Sequence, residues 1–454
     1  MRVRLILGWL VVLTMIAAIG YAQEPPVRQL SLAEALDLAR QNNPTYLTTV
    51  AKRSPAATRS LNTALALFTP YVSLSGGESW AQKGDYNLQG ISFATPRSQG
   101  SAWSLNLTYQ LSGTTIANRG LASAQLRAAD QDVASSLTVL ETAVRKEYLS
   151  LLQAQAQAAL AQHVVAKAQE ALNLAQARYN VGQGTMIEVR SAQVDKGTAD
   201  VNLLQAQQNA QLEVLRVYQL MGVPAPTGAR IVATDTFPVT QPAWNQDSLV
   251  SLARAENPIL KALRARANGA RWTTRAAYST YLPTLQLSAG YGKYSQTTWQ
   301  QATDSLTRLP FGPDTIVSHT SGTNPPWNLR IGLSIPLFDA FSRNTQISQA
   351  RADEEALQLS IRDQELTVTA NVNAAFTTLI AAYQTVGVQA NNRTAAEEAL
   401  SLATERYRVG SGSIIELLNA RVTSETAGVN YINAVYNYHK AIADLEQAVG
   451  RTLR

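Results

Sequence analysis

Along this chain the spacing of hydrophobic and polar residues changes period, and it does so twice in the same order. From Leu32 onward, Leu32, Leu36, Leu38 and Ala39 keep helical spacing. They predict a helix running to about Leu67, with a kink or short break where Pro44 follows Asn43. The period then falls to two. In "YVSLSG", Val72 and Leu74 alternate with Tyr71, Ser73 and Ser75; in "WSLNLTYQL", Leu105, Leu107, Tyr109 and Leu111 alternate with Ser104, Asn106, Thr108 and Gln110. "LPTLQLSAGYGKY" and "WNLRIGLSIPLF" repeat the alternation later, and each run reads as a strand of roughly nine to twelve residues. A half-buried soluble sheet would also alternate. Here the polar face is mostly Ser, Asn, Thr and Gln, and Trp103, Tyr109, Tyr281, Tyr291, Tyr294 and Trp327 stand near strand ends. That arrangement, and a length of about 9–11 residues for a tilted spanning strand, fits a membrane β-barrel. The Gly-, Ser- and Asn-rich segments 76–101 and 292–326 are expected to be the loops joining each strand pair.

Long helices follow each strand pair. Over 119–180, Val133, Leu137, Leu140, Val144, Tyr148 and Leu151 form a stripe near the coiled-coil repeat, and 342–409 is its counterpart. At 1.5 Å per residue such helices reach roughly 90–100 Å, more than a globular core requires. The returning helices, about 186–221 and 414–449, and the opening ones, about 31–67 and 248–280, are each near half that length. Long helices flanked by two shorter ones in tandem would make the wall of a tube, with 223–247 as a belt at mid-height.

The helices break at "ARYNVGQGTMIEV" and again at "ERYRVGSGSIIEL". Arg178 matches Arg406, Tyr179 matches Tyr407, Gly182 matches Gly410, Gly184 matches Gly412 and Glu188 matches Glu416, all at one constant offset. Paired glycines release the backbone for a reversal, and Thr185 or Ser413 starts the next helix as a cap with a glutamate three residues on. Each motif is therefore a hairpin tip. Neither "GQGTMI" nor "GSGSII" has the third glycine or the preceding strand of a nucleotide loop. A period this long means a duplicated domain rather than a solenoid. The boundaries are 23–222 for the first repeat, with strands at about 70–112 and a tip at 179–186. Segment 223–247 is the linker, and 248–454 is the second repeat, with strands at about 282–338 and a tip at 407–414. Four strands cannot close a barrel, and an open edge cannot lie in lipid, so further copies must complete it. Two copies would supply eight strands and three would supply twelve.

Composition narrows the picture further. "MRVR", an apolar run and Gly20-Tyr21-Ala22 form a secretory signal peptide over 1–22. Its removal takes away Arg2 and Arg4, so the formal charge falls from +6 to +4, too little and too scattered for nucleic acid. Cysteine is absent, which excludes disulfides, thiol catalysis and lipid attachment through an N-terminal cysteine. The three histidines, His163, His319 and His439, are expected as surface residues, and no spacing assembles a catalytic or metal site. No catalytic, cofactor or metal residues are assigned.

With "LNLAQARYNVGQGTMIEVRSAQ", "LSLATERYRVGSGSIIELLNARVTS", the Asn-Pro near the start of each half and two strands per half, the chain resembles the TolC family of outer membrane efflux proteins. The resemblance covers essentially the whole mature chain. It implies a mainly α fold with a membrane β-barrel: a homotrimer with a 12-stranded barrel in outer membrane lipid, continued by a 12-helix periplasmic α-barrel. It implies a passive exit duct whose hairpin tips open like an iris, docked to a periplasmic adaptor and an inner-membrane pump or ABC transporter. In the family, acidic residues of the second tip ring the pore. Glu416 stands at the first such position, Asn419 replaces the second, and Gly412 stands where the best-known member has an arginine. Glu416, Asn419 and Glu188 are thus the pore candidates. Arg178, Tyr179, Gly182, Gly184, Arg406, Tyr407, Gly410 and Gly412 are the tip or adaptor-docking candidates, with Tyr179 and Tyr407 expected to pack on the returning helices. Small-solute efflux is the first reading and type I protein secretion the second. A periplasmic coiled-coil or adaptor protein is the alternative from another class.

Overall fold

The computed structural model describes residues 28–89, 91–303, 306, 310–323 and 327–453; the expected signal peptide lies outside them. The chain divides into two compact units. One comprises residues 53–130 and 262–362 and carries the sheet.

In that unit β2 (Tyr71–Ala81), β5 (Arg97–Leu111), β7 (Thr284–Thr303), β8 (Pro310–Thr323) and β9 (Asn328–Ser334) form one antiparallel sheet, β2-β5-β7, with β8 and β9 both on the far side of β7. The register aligns the apolar positions of all the columns. Val72 faces Leu107, Leu107 faces Ala289 and Ala289 faces Leu329; Tyr109 faces Leu287, which faces Ile331. Because side chains alternate in a strand, this builds one apolar face, with Ser, Asn, Thr and Gln behind it. The apolar face is bare: Leu74 is 73% exposed and Ile331 69%.

The segments expected as loops are largely strand. Residues 76–81 and 97–101 extend β2 and β5, β3 (Gly84–Leu88) and β4 (Ile91–Thr95) make a small hairpin, and β7 runs 20 residues. Their ladders continue on Ser, Thr and Gln, as in Ser98 opposite Thr298 and Thr297 opposite His319. Backbone pairing persists there after the hydrophobic alternation that marked the strands has stopped.

The helix α3 (Gly113–Asn180) begins earlier than the expected residue 119, because Ser112 Oγ accepts the Thr115 N–H at 3.2 Å. Gly120 then lies inside it, where a Cβ would stand 2.2 Å from the Trp272 ring; close helix packing, and not a break, is the reason for that glycine.

The other unit comprises residues 28–52, 131–261 and 363–453 of those described. Here the duplication is visible in the core. One cluster joins α1 (Leu32–Asn42), through Ala35 and Ala39, to α3 and α4 (Met186–Met221), through Val144, Leu151, Val214, Val217 and Met221. A second joins α5 (Gln246–Glu256), through Leu249 and Ala253, to α7 (Ser342–Arg408) and α8 (Ile414–Val449), through Val372, Leu379, Ile442, Leu445 and Val449, the long-helix positions of the first cluster shifted by the repeat offset. The Asn-Pro pairs do the same work twice. Asn43 ends α1, and its Nδ2 donates to Leu220 O at 2.9 Å while Oδ1 accepts from Tyr46 N. Asn257 donates to Ala448 O at 3.2 Å and accepts from Ile259 N at 3.0 Å. Each asparagine thus caps one helix, starts the next at proline (α2, Pro44–Leu65; α6, Pro258–Ser279) and ties both to the end of a returning helix. The break at Pro44 is a one-residue interruption.

His439 is buried at 2% exposure with Nε2 3.1 Å from Phe237 O, contrary to the surface position expected. Neighbouring aromatics Tyr438 and Phe237 account for this, since the ring packs against both. A short parallel pair, β1 (Arg28–Leu30) with β6 (Ile231–Ala233), is pinned by Asp235, which accepts from Leu32 N and Tyr148 Oη, both at 2.7 Å.

Between α3, α4 and α8, burial and the adjacent Glu213 carboxylate push Glu147 up to about 7, against the pull of Arg216 and Lys440. A carboxyl whose folded value is raised from 4.5 binds more protons folded than unfolded, so it costs stability as pH rises through this interval. Glu147→Gln is expected to raise the thermal midpoint at pH 8 and to leave it near the wild-type value at pH 4.5. Equal effects at both pH values in a melting series would contradict this origin.

Candidate functional site: the paired hairpin tips

Each tip is built by the same backbone. Gly182 and Gly410 take φ of +75° and +80°, open to glycine and strained for other residues. Arg178 O accepts from Gln183 N and Gly184 N at 2.8 and 3.1 Å; Arg406 O accepts from Ser411 N and Gly412 N at 2.9 and 3.0 Å. Thr185 Oγ then accepts the Glu188 N–H at 3.3 Å, and Ser413 Oγ the Glu416 N–H at 3.1 Å, starting α4 and α8. Gly184 and Gly412 allow close approach to the preceding helix: a Cβ there would stand 3.2 Å from Tyr179 N and 3.1 Å from Tyr407 N.

The side chains break this symmetry. Tyr407 is buried at 1% exposure against Ile414 and Leu417, whereas its counterpart Tyr179 is 39% exposed. Tyr407 can go inside because its hydroxyl finds a charge-assisted acceptor, Glu188 Oε2 of the other hairpin, at 2.8 Å. That burial and the Glu188 carboxylate both raise its pKa. Arg178 spans the same joint: it donates to Tyr407 O and, at 3.1 Å, to Gln183 O, and its guanidinium lies 4.6 Å over the Tyr407 ring. Arg406 instead stays within its own hairpin, 2.6 Å from Glu416 Oε1. Of the pore candidates, Glu188 is therefore committed to Tyr407 and Glu416 to Arg406, while Asn419 is exposed. Met186 is exposed where its counterpart Ile414 is buried, and Val181, Ile187, Val409 and Ile415 point outward at both tips.

Deeper in the same unit, α4 and α8 flank a groove of about 910 Å³ lined by Met186, Ile187, Val194, Leu418 and Val422. Its lining also includes a charge cluster that the tip motifs do not reveal. Arg421, 5% exposed, donates to Asp195 and, at 3.4 Å, to Glu425. The available signal was an arginine on the apolar stripe of Ile414 and Leu417.

Among the described residues no group of three or more His, Asp or Glu could hold a metal ion, and no helix is long and apolar enough to cross a membrane.

The sequence matches the family described as "Outer membrane efflux protein" over residues 35–223 and 249–451. It is similar to the outer membrane protein TolC of Vibrio cholerae serotype O1, at 25% identity over 92% of this chain and 90% of that protein. It is also similar to the alkaline protease secretion protein AprF of Pseudomonas aeruginosa, at 28% identity over 61% of this chain and 59% of that protein. Among solved structures it resembles the outer membrane protein VceC of Vibrio cholerae, with a TM-score of 0.72 at 18% identity over 93% of this chain and 97% of that one. The open-state MtrE outer membrane channel of Neisseria gonorrhoeae gives 0.71 at 18% identity, over 93% and 89%. At that identity these structures establish the fold, a mixed α/β channel fold with a large helical portion. The chain, matched in both of its halves, belongs to the outer membrane efflux protein family.

Proposed function

We propose that three copies of this chain assemble into an outer-membrane exit duct for efflux or secretion, gated at the paired hairpin tips. The exit-duct role follows from family membership. The observation that carries the assembly is the bare apolar face of the sheet together with its open edges. Among the described residues, β2 pairs only with β5, and β9 only with β7. Exposed leucines are costly in water and unpaired strand edges are costly in lipid, so a sheet closed within lipid, the β2 edge of one copy against the β8–β9 edge of the next, satisfies both. Since β8 and β9 pair with consecutive stretches of one side of β7 and so share one strand position, each chain offers four positions, and three copies would give the twelve strands and the α-barrel implied by the family resemblance. The apolar tips would meet a periplasmic adaptor, and the duct would receive cargo from an inner-membrane pump or ABC transporter. Small-solute efflux is the first reading of cargo. The likeness to a protease-secretion protein favours type I secretion as the second.

Native mass spectrometry of the detergent-extracted outer membrane protein tests the assembly. A complex of three chains is expected, collapsing to single chains on heating. A monomer or a dimer would rule it out.

A further inference from the structure

We propose that the seam between α6 and α7, immediately beside the sheet, binds the phosphate of an anionic phospholipid headgroup in the membrane leaflet nearest the helices. The inference rests on the sheet lying in the membrane. Helix α6 carries Lys261, Arg264, Arg266, Arg271 and Arg275 and not one Asp or Glu. Arg271, Arg275 and Tyr278 follow at spacings of four and three, so they share one face of its last two turns before β7 begins at Thr284.

Three arginines of this seam lie on aromatic rings. Arg275 sits 4.6 Å over Trp272, Arg351 of α7 sits 5.2 Å over Tyr278, and Arg343 sits 4.5 Å over Tyr281. Arg343 is buried and committed, donating to Asp339 at 2.8 Å and Pro336 O at 2.9 Å. Arg271 is 3.6 Å from Glu354, which also accepts from Thr274 at 2.8 Å. Asp353 accepts from Gln349 at 2.8 Å, and Glu355 is exposed. Arg275 and Arg351 remain: both are exposed, and neither is in an ion pair among the described residues.

A guanidinium lying on a ring keeps its N–H groups in its own plane, directed past the ring edge. That geometry meets two phosphate oxygens at once. The rings also set the depth. Tyr278, Tyr281 and Leu282 are 40%, 51% and 55% exposed at the helix-to-strand turn, and tyrosines so placed settle at the headgroup level of a bilayer. Arginines stacked on or beside them lie at that level too, with apolar neighbours for acyl chains. A soluble phosphate would have the charge but not those neighbours.

The test inserts the intact oligomer into phosphatidylcholine nanodiscs doped with phosphatidylglycerol, then counts retained lipid by native mass spectrometry. Wild type is expected to retain phosphatidylglycerol in preference to phosphatidylcholine. Each basic residue near an anionic surface contributes about fivefold, so Arg275→Gln with Arg351→Gln should weaken retention about 30-fold, and the double lysine variant should keep most of it. Equal retention of both lipids by wild type, or an unchanged preference in the glutamine variant, would overturn the proposal. So would protection of the thermal midpoint by inorganic phosphate as large as that by phosphatidylglycerol. Insertion into pure phosphatidylcholine separates the two levels: failure to insert refutes the membrane reading of the sheet, whereas insertion without lipid preference refutes only the seam.

Discussion

Arg421→Ala is expected to destabilise the tip-proximal helices by about 3–5 kcal/mol, the largest effect of any single substitution proposed. The guanidinium is buried between α4 and α8, with Asp195 only 12% and Glu425 22% exposed beside it. Truncation leaves Asp195 desolvated with no cation, and a buried unpaired carboxylate costs more than the pair itself contributed. The double variant Arg421→Ala with Asp195→Ala should therefore recover much of the loss, and Arg421→Met with Asp195→Leu should recover more by filling the volume. Denaturant midpoints in detergent measure this. Additive losses in the double variant would show that packing of the long side chain, and not its charge partner, sets the cost.

The second large effect concerns the gate proposed at the tips. Tyr407→Phe combined with Arg178→Ala removes the hydroxyl bond to Glu188, the cross-hairpin bond to Tyr407 O and the cation stacked on its ring. Hydrogen bonds to charged groups contribute roughly 1.5–3 kcal/mol each, so the equilibrium between joined and separated tips should move by at least tenfold. The expected readout is a several-fold rise in open probability in single-channel recordings. Arg406→Ala cuts only a half-exposed ion pair inside one hairpin and should change it little. If Arg406→Ala opened the channel while the cross-hairpin variant did not, the latch would have been placed on the wrong residues.

What the residues disclose on their own is whatever short-range physics decides. Gly182 and Gly410 announce a positive φ, Thr185 and Ser413 announce caps, and the alternation at Leu105–Leu111 announces a strand, because each depends on neighbours a few positions away. The same motifs did not disclose the division of labour between the tips. Tyr179 and Tyr407 occupy equivalent positions, yet only Tyr407 is buried, and its partner Glu188 lies 219 positions away. Arg421 and Asp195, 226 apart, were hidden for the same reason. The polar halves of β5 and β7 escaped because their ladder is held by backbone groups, which leave no hydrophobic signature. Asn43 and Asn257 marked the Asn-Pro motif, but their bonds to Leu220 O and Ala448 O needed the fold.

On the proposed reading this chain makes a conducting duct only as a closed assembly, narrowed at its tips. Planar-bilayer recording of the intact oligomer, beside a heat-dissociated sample of the same preparation, tests it most directly. Discrete conductance steps are expected from the oligomer, none from separated chains, and larger steps or longer openings from the Tyr407→Phe, Arg178→Ala variant. Conductance from separated chains, or none from the intact oligomer and its opened variant, would contradict it.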